Sequence, residues 1–179
     1  VRAVKGDLGA AGVALAEMGG LPGRGARLEI DVPGGEPDED GLRKALLIDE
    51  SYNASPAAVR AALETLSLSE TAPDGRRIAI LGDMLELGQD TPALHAGLAE
   101  AVEQCGVDLV YAAGPAMAHL YRALPASIRG CHAESTEALL PVVASVARPG
   151  DVVLVKGSLG MQMARIVKAL MPDSSKNKG

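Results

Sequence analysis

From Pro56 onward the chain repeats one pattern: a short, almost uninterrupted apolar run followed by a longer stretch with apolar residues at helical spacing. The runs are RRIAIL (76–81), VDLVYAAG (107–114), a shorter GCHAE (130–134) and DVVLVKG (151–157). A strand wetted on one side alternates polar and apolar residues, so a strand apolar on both sides must be covered on both faces. Helical patterns separate these runs, at about 56–67, from Thr91 to Gln104, at 115–124, from Ser135, and from Leu159 to Leu170. Thr91 reads as an N-cap with Pro92 at the first helical position. Alternating strands and helices of this kind predict an α/β fold, a Rossmann-like domain with a mostly parallel sheet and helices on both faces.

The first fifty residues are less complete. DLGAAGVALAEM (7–18) has helical spacing and is stopped by Gly19-Gly20; Ala26–Asp31 and 45–49 read as strands, separated by the Pro-, Gly- and acid-rich loop VPGGEPDEDG (32–41). One helix and two strands cannot enclose a core. Residues 1–50 are therefore expected to be a remnant of a second α/β domain, and residues 51–179 the Rossmann-like domain, with 172–179 (PDSSKNKG) a disordered tail. A length of 179 residues suits one ordinary domain, or one domain with a fragment of another attached. A start at Val1, without Met, a basic segment or an apolar signal core, reads as an engineered piece, a proteolytic piece or part of a longer gene product.

Composition removes several classes of function. The core must be aliphatic, because Trp and Phe are absent and only Tyr52, Tyr111 and Tyr121 carry aromatic rings. Without stacking platforms, and with a formal charge of -6, nucleic acid is not an expected partner. No run is long enough to enter a membrane. Cys105 and Cys131 have neither CxxC nor disulfide-framework spacing, and His95, His119 and His132 are scattered, so no metal site is expected in this chain. Two unpaired cysteines suit a reducing cytoplasm.

In open parallel sheets, ligands meet the carboxyl ends of the strands. Three segments there are rich in polar groups: Asp49-Glu50-Ser51-Tyr52-Asn53; GDMLELG (82–88), with Asp83 and Glu86; and Lys156-Gly157-Ser158. Carboxylates in such loops can take an ammonium, a ribose diol or hydrated magnesium, or can simply cap a helix. Lys156 beside Gly157, with Ser158 placed to cap the last helix, forms either an anion site or a structural cap. Arg24 lies between Gly23 and Gly25, where its guanidinium can grip carboxylate or phosphate. GDLGAAG (6–12) is not a dinucleotide fingerprint, because no strand precedes it and its spacing is GxxGxxG.

Taken together, PGRGARLE (22–29), LIDESYNASPAAVRAAL (47–63), RRIAILGDMLELG (76–88), LHAGLAE (94–100) and VVLVKGSLGMQMARIV (152–167) resemble, in order and spacing, the Mur ligases of peptidoglycan synthesis. The likeness is strongest to the branch joining D-Ala-D-Ala to UDP-N-acetylmuramoyl-tripeptide, and it runs from about residue 7 to 171. The resemblance implies a cytoplasmic three-domain ligase that uses ATP and Mg2+ to make an acyl phosphate, which the dipeptide amine then attacks. This chain would supply the end of the central domain and the whole C-terminal domain, and would be inactive alone. Arg24, Asp49, Ser51, Tyr52 and Asn53 would contact the nucleotide, Asp49 through the ribose hydroxyls, with 51–53 as the interdomain hinge. Asn53 and Lys156 would be catalytic. Asp83, Glu86, His95, Lys156, Gly157 and Ser158 would meet the substrates, D-Ala-D-Ala and the UDP-muramoyl tripeptide. The family's phosphate loop and metal-binding acid are absent, and KGSRSMRME of the family reads KGSLGMQMA (156–164) here. The alternative to the ligase fragment is a non-catalytic Rossmann-like binding module.

Overall fold

A computed structural model describes residues 22–32 and 43–171. Its strands are β1 (Ala26–Asp31), β2 (Lys44–Glu50), β3 (Arg77–Gly82), β4 (Leu109–Ala113), β5 (Arg129–Ala133) and β6 (Val152–Lys156). Its helices are α1 (Pro56–Ser67), α2 (Thr91–Ala96), α3 (Ala99–Gln104), α4 (Met117–Ala123), α5 (Thr136–Val143) and α6 (Ala164–Leu170). The expected helix at 7–18, most of the loop at 32–41 and the tail at 172–179 lie outside the described residues.

The six strands form one sheet in the order β1-β2-β6-β3-β4-β5, parallel throughout except that β1 runs antiparallel to β2. β6 is central and buried at every position. Its alternate residues feed two cores: Val152 and Leu154 face one side, Val153 and Val155 the other. The first side is covered by α1, α3 and α4 through Leu63, Leu66, Val102 and Leu120, and the second by α5 and α6 through Leu139, Val143, Ile166 and Leu170. This is the two-sided covering that continuous apolar runs require.

The boundary expected after residue 50 does not separate two structural units. β2 pairs with β6 from Leu46↔Val152 to Glu50↔Lys156, so the hairpin of β1 and β2 extends the sheet of the following domain. Residues 22–32 and 43–50 belong to that sheet, because their apolar faces (Ile30, Ala45, Leu47) are buried in its second core.

Two helices are shorter than their patterns predict. The stretch 91–104 breaks at Gly97, which ends α2; Arg60 Nη2 donates to its carbonyl at 2.7 Å. Thr91 is not the cap: its hydroxyl donates to the Gly88 carbonyl. The final helix starts at Ala164 instead of Leu159, because Gln162 adopts the left-handed conformation (φ 54°, ψ 37°) after a 3-10 turn at Leu159–Met161. By contrast, Ser55 and Ser135 are true N-caps, accepting from Ala58 and Ala138 N–H at 3.2 Å.

At the amino edge of the sheet, Asp151 accepts from the backbone N–H groups of Arg76 and Arg148 and from the Arg76 guanidinium. That hydrogen bonding raises the Arg76 pKa above its ordinary value. Burial raises the Tyr111 phenol and the Cys105 thiol. Both cysteines are free and half-buried, as expected.

Candidate functional site

At the carboxyl ends of β2 and β6 a cleft of about 230 Å³ is lined by Gly23, Arg24, Glu50, Tyr52, Asn53 and Lys156. Each wall has a local cause. Gly23 and Gly25 carry positive φ (75° and 86°), so the turn before β1 folds back on β2, and Tyr52 N–H donates to the Gly23 carbonyl at 3.0 Å. A Cβ on Gly23 would stand 2.9 Å from the Tyr52 Cβ, so only glycine permits this approach. The turn thereby carries the Arg24 guanidinium over the Tyr52 ring, 4.0 Å from its centroid. Tyr52 is 42% exposed and Arg24 is also exposed.

Lys156 forms the floor. It is 3% exposed, and its ammonium donates to Glu50 Oε2 at 3.2 Å and to the Asn53 carbonyl at 3.0 Å. The carboxylate and the carbonyl offset part of the cost of burying that side chain. Lys156 also fixes residues 50 and 53 to β6. Asn53 is exposed, its side-chain oxygen accepting from Ala54 N–H. The cleft therefore presents a planar cation on an aromatic face, an amide, a carboxylate and a fixed ammonium.

Asp49 is not in this cleft. Its Oδ2 accepts from Gly23 N–H (2.9 Å), and its Oδ1 accepts from the Ser51 N–H (3.1 Å) and hydroxyl (2.6 Å). Asp49 and Ser51 are both buried. Strand alternation separates neighbours: Ile48 lies in the core beside α1 and Leu47 in the core beside α6, so Glu50 follows Ile48 and Asp49 follows Leu47. Glu50 is the acid that lines the cleft, and sequence reasoning missed it. The signal was available in the period-two pattern of Leu46, Ile48 and Glu50.

The second loop uses its polar groups internally. Asp83 is buried, and its carboxylate accepts from Met117 N–H (2.7 Å) and Ala116 N–H (3.2 Å), closing the start of α4. His95 is fully buried: Nε2 accepts from Met84 N–H at 3.1 Å, which places the proton on Nδ1, where it bonds the Thr91 carbonyl at 2.7 Å. Ser158 does not cap the last helix; its hydroxyl accepts from Leu85 N–H at 2.9 Å, and its own N–H donates to the Asp83 carbonyl. Gly157 is buried against Gly82, with Met163 wedged between the loops. Of the residues expected to meet substrate from this loop, Glu86 alone is exposed, held at φ 64°. Among the described residues no group of three or more His, Cys, Asp or Glu side chains converges, and no helix is long and apolar enough to cross a membrane.

The family model described as "Mur ligase, glutamate ligase domain" matches residues 39–159. The chain belongs to the Mur ligase family. It is similar to the UDP-N-acetylmuramoyl-tripeptide–D-alanyl-D-alanine ligase of Rickettsia prowazekii, with 31% identity over 126 residues, covering 70% of this chain and 27% of that protein. It is also similar to the ligase of that name from Escherichia coli, with 29% identity, covering 90% of this chain and 32% of that protein. Among solved structures, the MurF ligase of Thermotoga maritima in complex with ADP superposes with a TM-score of 0.64 at 26% identity, covering 88% of this chain and 32% of that one. MurF of Acinetobacter baumannii shares the fold, with a TM-score of 0.71 at 22% identity, covering 94% of this chain and 34% of that one. The chain thus spans about a third of the length of these relatives and corresponds to the C-terminal portion of a Mur ligase.

Proposed function

We propose that this chain is the C-terminal part of an ATP-dependent ligase of peptidoglycan synthesis, which adds D-Ala-D-Ala to UDP-N-acetylmuramoyl-tripeptide through an acyl phosphate. In this reading the cleft of Arg24, Glu50, Tyr52, Asn53 and Lys156 is the wall that meets the nucleotide. The observation that carries it is the joint placement of Arg24 over Tyr52 and of Lys156 beneath Asn53, two cations and an aromatic face at one end of the sheet. A relative of the same fold and branch was solved with ADP, which supports a nucleotide as the occupant.

The residue types suit that role. Arg24 can meet phosphate oxygens with its N–H groups while its guanidinium lies over Tyr52, Glu50 can accept from ribose hydroxyls, and Asn53 can donate its amide to the same ligand. ATP supplies the phosphoryl group that activates the carboxylate; the residues of this chain position it and screen its charge. Lys156 acts here through Asn53 and Glu50, which it anchors, so its part is positioning instead of direct phosphoryl contact. Magnesium would be held by residues of the upstream part of the enzyme. Asp83, His95 and Ser158 shape the loop that borders the site, and Asp49 and Ser51 shape the turn that carries Arg24.

The proposal predicts a division of labour between pieces. The 179-residue chain alone should release no phosphate from ATP in the presence of both substrates. Joined to its upstream domains it should release phosphate only when D-Ala-D-Ala is present. Ligation by the chain alone would overturn the reading, and a gene product with no upstream ligase domain would favour the binding module instead.

A further inference from the structure

In the cleft at the carboxyl ends of β2 and β6, the protein itself engages both oxygens of Asn53. The backbone carbonyl accepts from the Lys156 ammonium at 3.0 Å, and the side-chain Oδ1 accepts from Ala54 N–H at 2.8 Å. An N–H can meet only the oxygen end of an amide, so the side chain is turned one way and its NH2 group is the end left for a ligand. We infer that Lys156 is a positioning residue for the occupant of this cleft: by holding the Asn53 carbonyl it presets the Asn53 amide as a donor, without touching the occupant itself. This rests on the nucleotide reading above and adds a selection rule to it, since the occupant must bring an acceptor atom, such as a phosphate oxygen, to Asn53.

Three observations carry the inference. The first is that the two bonds are linked. The Asn53 carbonyl and the Ala54 N–H belong to one planar peptide unit. Holding the carbonyl therefore fixes the direction of the N–H, and the N–H in turn selects the oxygen end of the Asn53 side chain. The second is depth. The Lys156 side chain is 4% exposed against 30% for Glu50, and Asn53 is exposed, so the ammonium lies beneath the wall it holds. On either side of Asn53 the chain is already anchored, since Tyr52 N–H donates to the Gly23 carbonyl and Ala54 is buried. The peptide after Asn53 is thus the adjustable part of the turn, and a hydrogen bond from an ammonium is stronger than one from a neutral donor. The third is polarity. Among the groups lining the cleft, the Arg24 guanidinium only donates and the Glu50 carboxylate only accepts, whereas an amide can do either until one end is taken. Lys156, through Ala54 N–H, settles that choice.

The test uses NMR of the 15N-labelled 179-residue chain, its Asn53 NH2 signals assigned by their loss in Asn53→Ala. Glu50→Gln combined with Lys156→Met removes the ion pair without leaving an unpaired buried charge. Without ligand, this double change should give the Asn53 NH2 group the relaxation of a freely rotating amide, while the backbone amides of β3 and β4 stay in place. Glu50→Gln alone keeps Lys156 on the Asn53 carbonyl and should leave that NH2 group as rigid as in wild type. In ADP titrations Asn53→Ala should weaken binding about tenfold, the loss of one hydrogen bond. The double change should weaken it to a similar degree, but by less than about twofold once Asn53→Ala is present. Asn53→Asp keeps an oxygen for Ala54 N–H and turns the donor into an acceptor, so it should bind more weakly than Asn53→Ala. Equal loss from the double change in both backgrounds would show Lys156 acting on the ligand directly and would overturn the inference. So would an NH2 group that stays rigid in the double variant or loosens in Glu50→Gln alone, or wild-type binding by Asn53→Asp. Absence of any ADP shift at 23–24 and 50–53 in the unmodified chain would sink the nucleotide reading, and the ligand-free relaxation would still decide whether Lys156 positions Asn53.

Discussion

The segments 49–53 and 82–86 carry similar side chains, each with a strand-end carboxylate followed by polar residues, yet the fold uses them in opposite ways. In 82–86 the carboxylate of Asp83 closes α4, and the backbone of Met84 and Leu85 is held by His95 and Ser158, so nearly every polar group is matched inside the protein. In 49–53 only Asp49 and Ser51 turn inward; Glu50, Tyr52 and Asn53 are left at a cleft with Arg24. The inward set makes the loop rigid, and the outward set is what a ligand can meet. A polar residue at a strand end is thus a candidate ligand contact only when its hydrogen-bonding capacity is not already filled by a backbone N–H.

The sharpest way to break that contrast is to remove the inward groups. Asp83→Ala leaves two N–H groups at the start of α4 without their acceptor in a buried setting, and should cost about 2–3 kcal/mol of folding stability by urea denaturation. Gly114 reinforces the point, since a Cβ there would lie 2.4 Å from Asp83 Cγ, in a residue held at φ 112°. His95→Leu comes next: it keeps bulk but orphans Met84 N–H, and should cost about 1–3 kcal/mol. If either variant unfolds at the wild-type urea midpoint, the assignment of this loop to structure is wrong.

The contrast also explains what could be read from the sequence. The sheet was legible because β3, β4 and β6 are buried on both faces, which writes continuous apolar runs into the chain. The hairpin was read as a remnant because its partner strand, β6, lies 106 positions away between Glu50 and Lys156, and no local pattern reports such a pairing. The family resemblance places His95 and Ser158 at a ligand, whereas their partners here, Met84 and Leu85, are backbone groups that sequence does not distinguish. Arg24 and Tyr52 were both named, but their stacking depends on the glycine turn.

A smaller effect sharpens the comparison further. Ser158→Ala removes one acceptor from Leu85 N–H at the border between the two regions, and should cost about 1 kcal/mol. Restoring a hydroxyl with Thr should recover part of that loss if the bond to Leu85 is what matters, and none if the site tolerates only a small side chain.

The outward set should behave in the reverse sense. Tyr52→Ala removes an exposed ring, and its effect on stability should stay within about 0.5 kcal/mol, as for most surface substitutions. Its effect on ligand should be larger than that of any inward variant that folds, because the ring is what holds the Arg24 guanidinium in place over the cleft. Arg24→Lys separates the two contributions: it keeps the charge but loses the planar fork and its stacking. Measured by ADP titration of the chain, Arg24→Lys should bind more weakly than wild type and about as weakly as Tyr52→Ala. If Arg24→Lys binds as wild type while Tyr52→Ala does not, charge alone serves and the stacked pair has no special part. If both bind as wild type, the division into inward scaffold and outward contact fails at the cleft where it matters most.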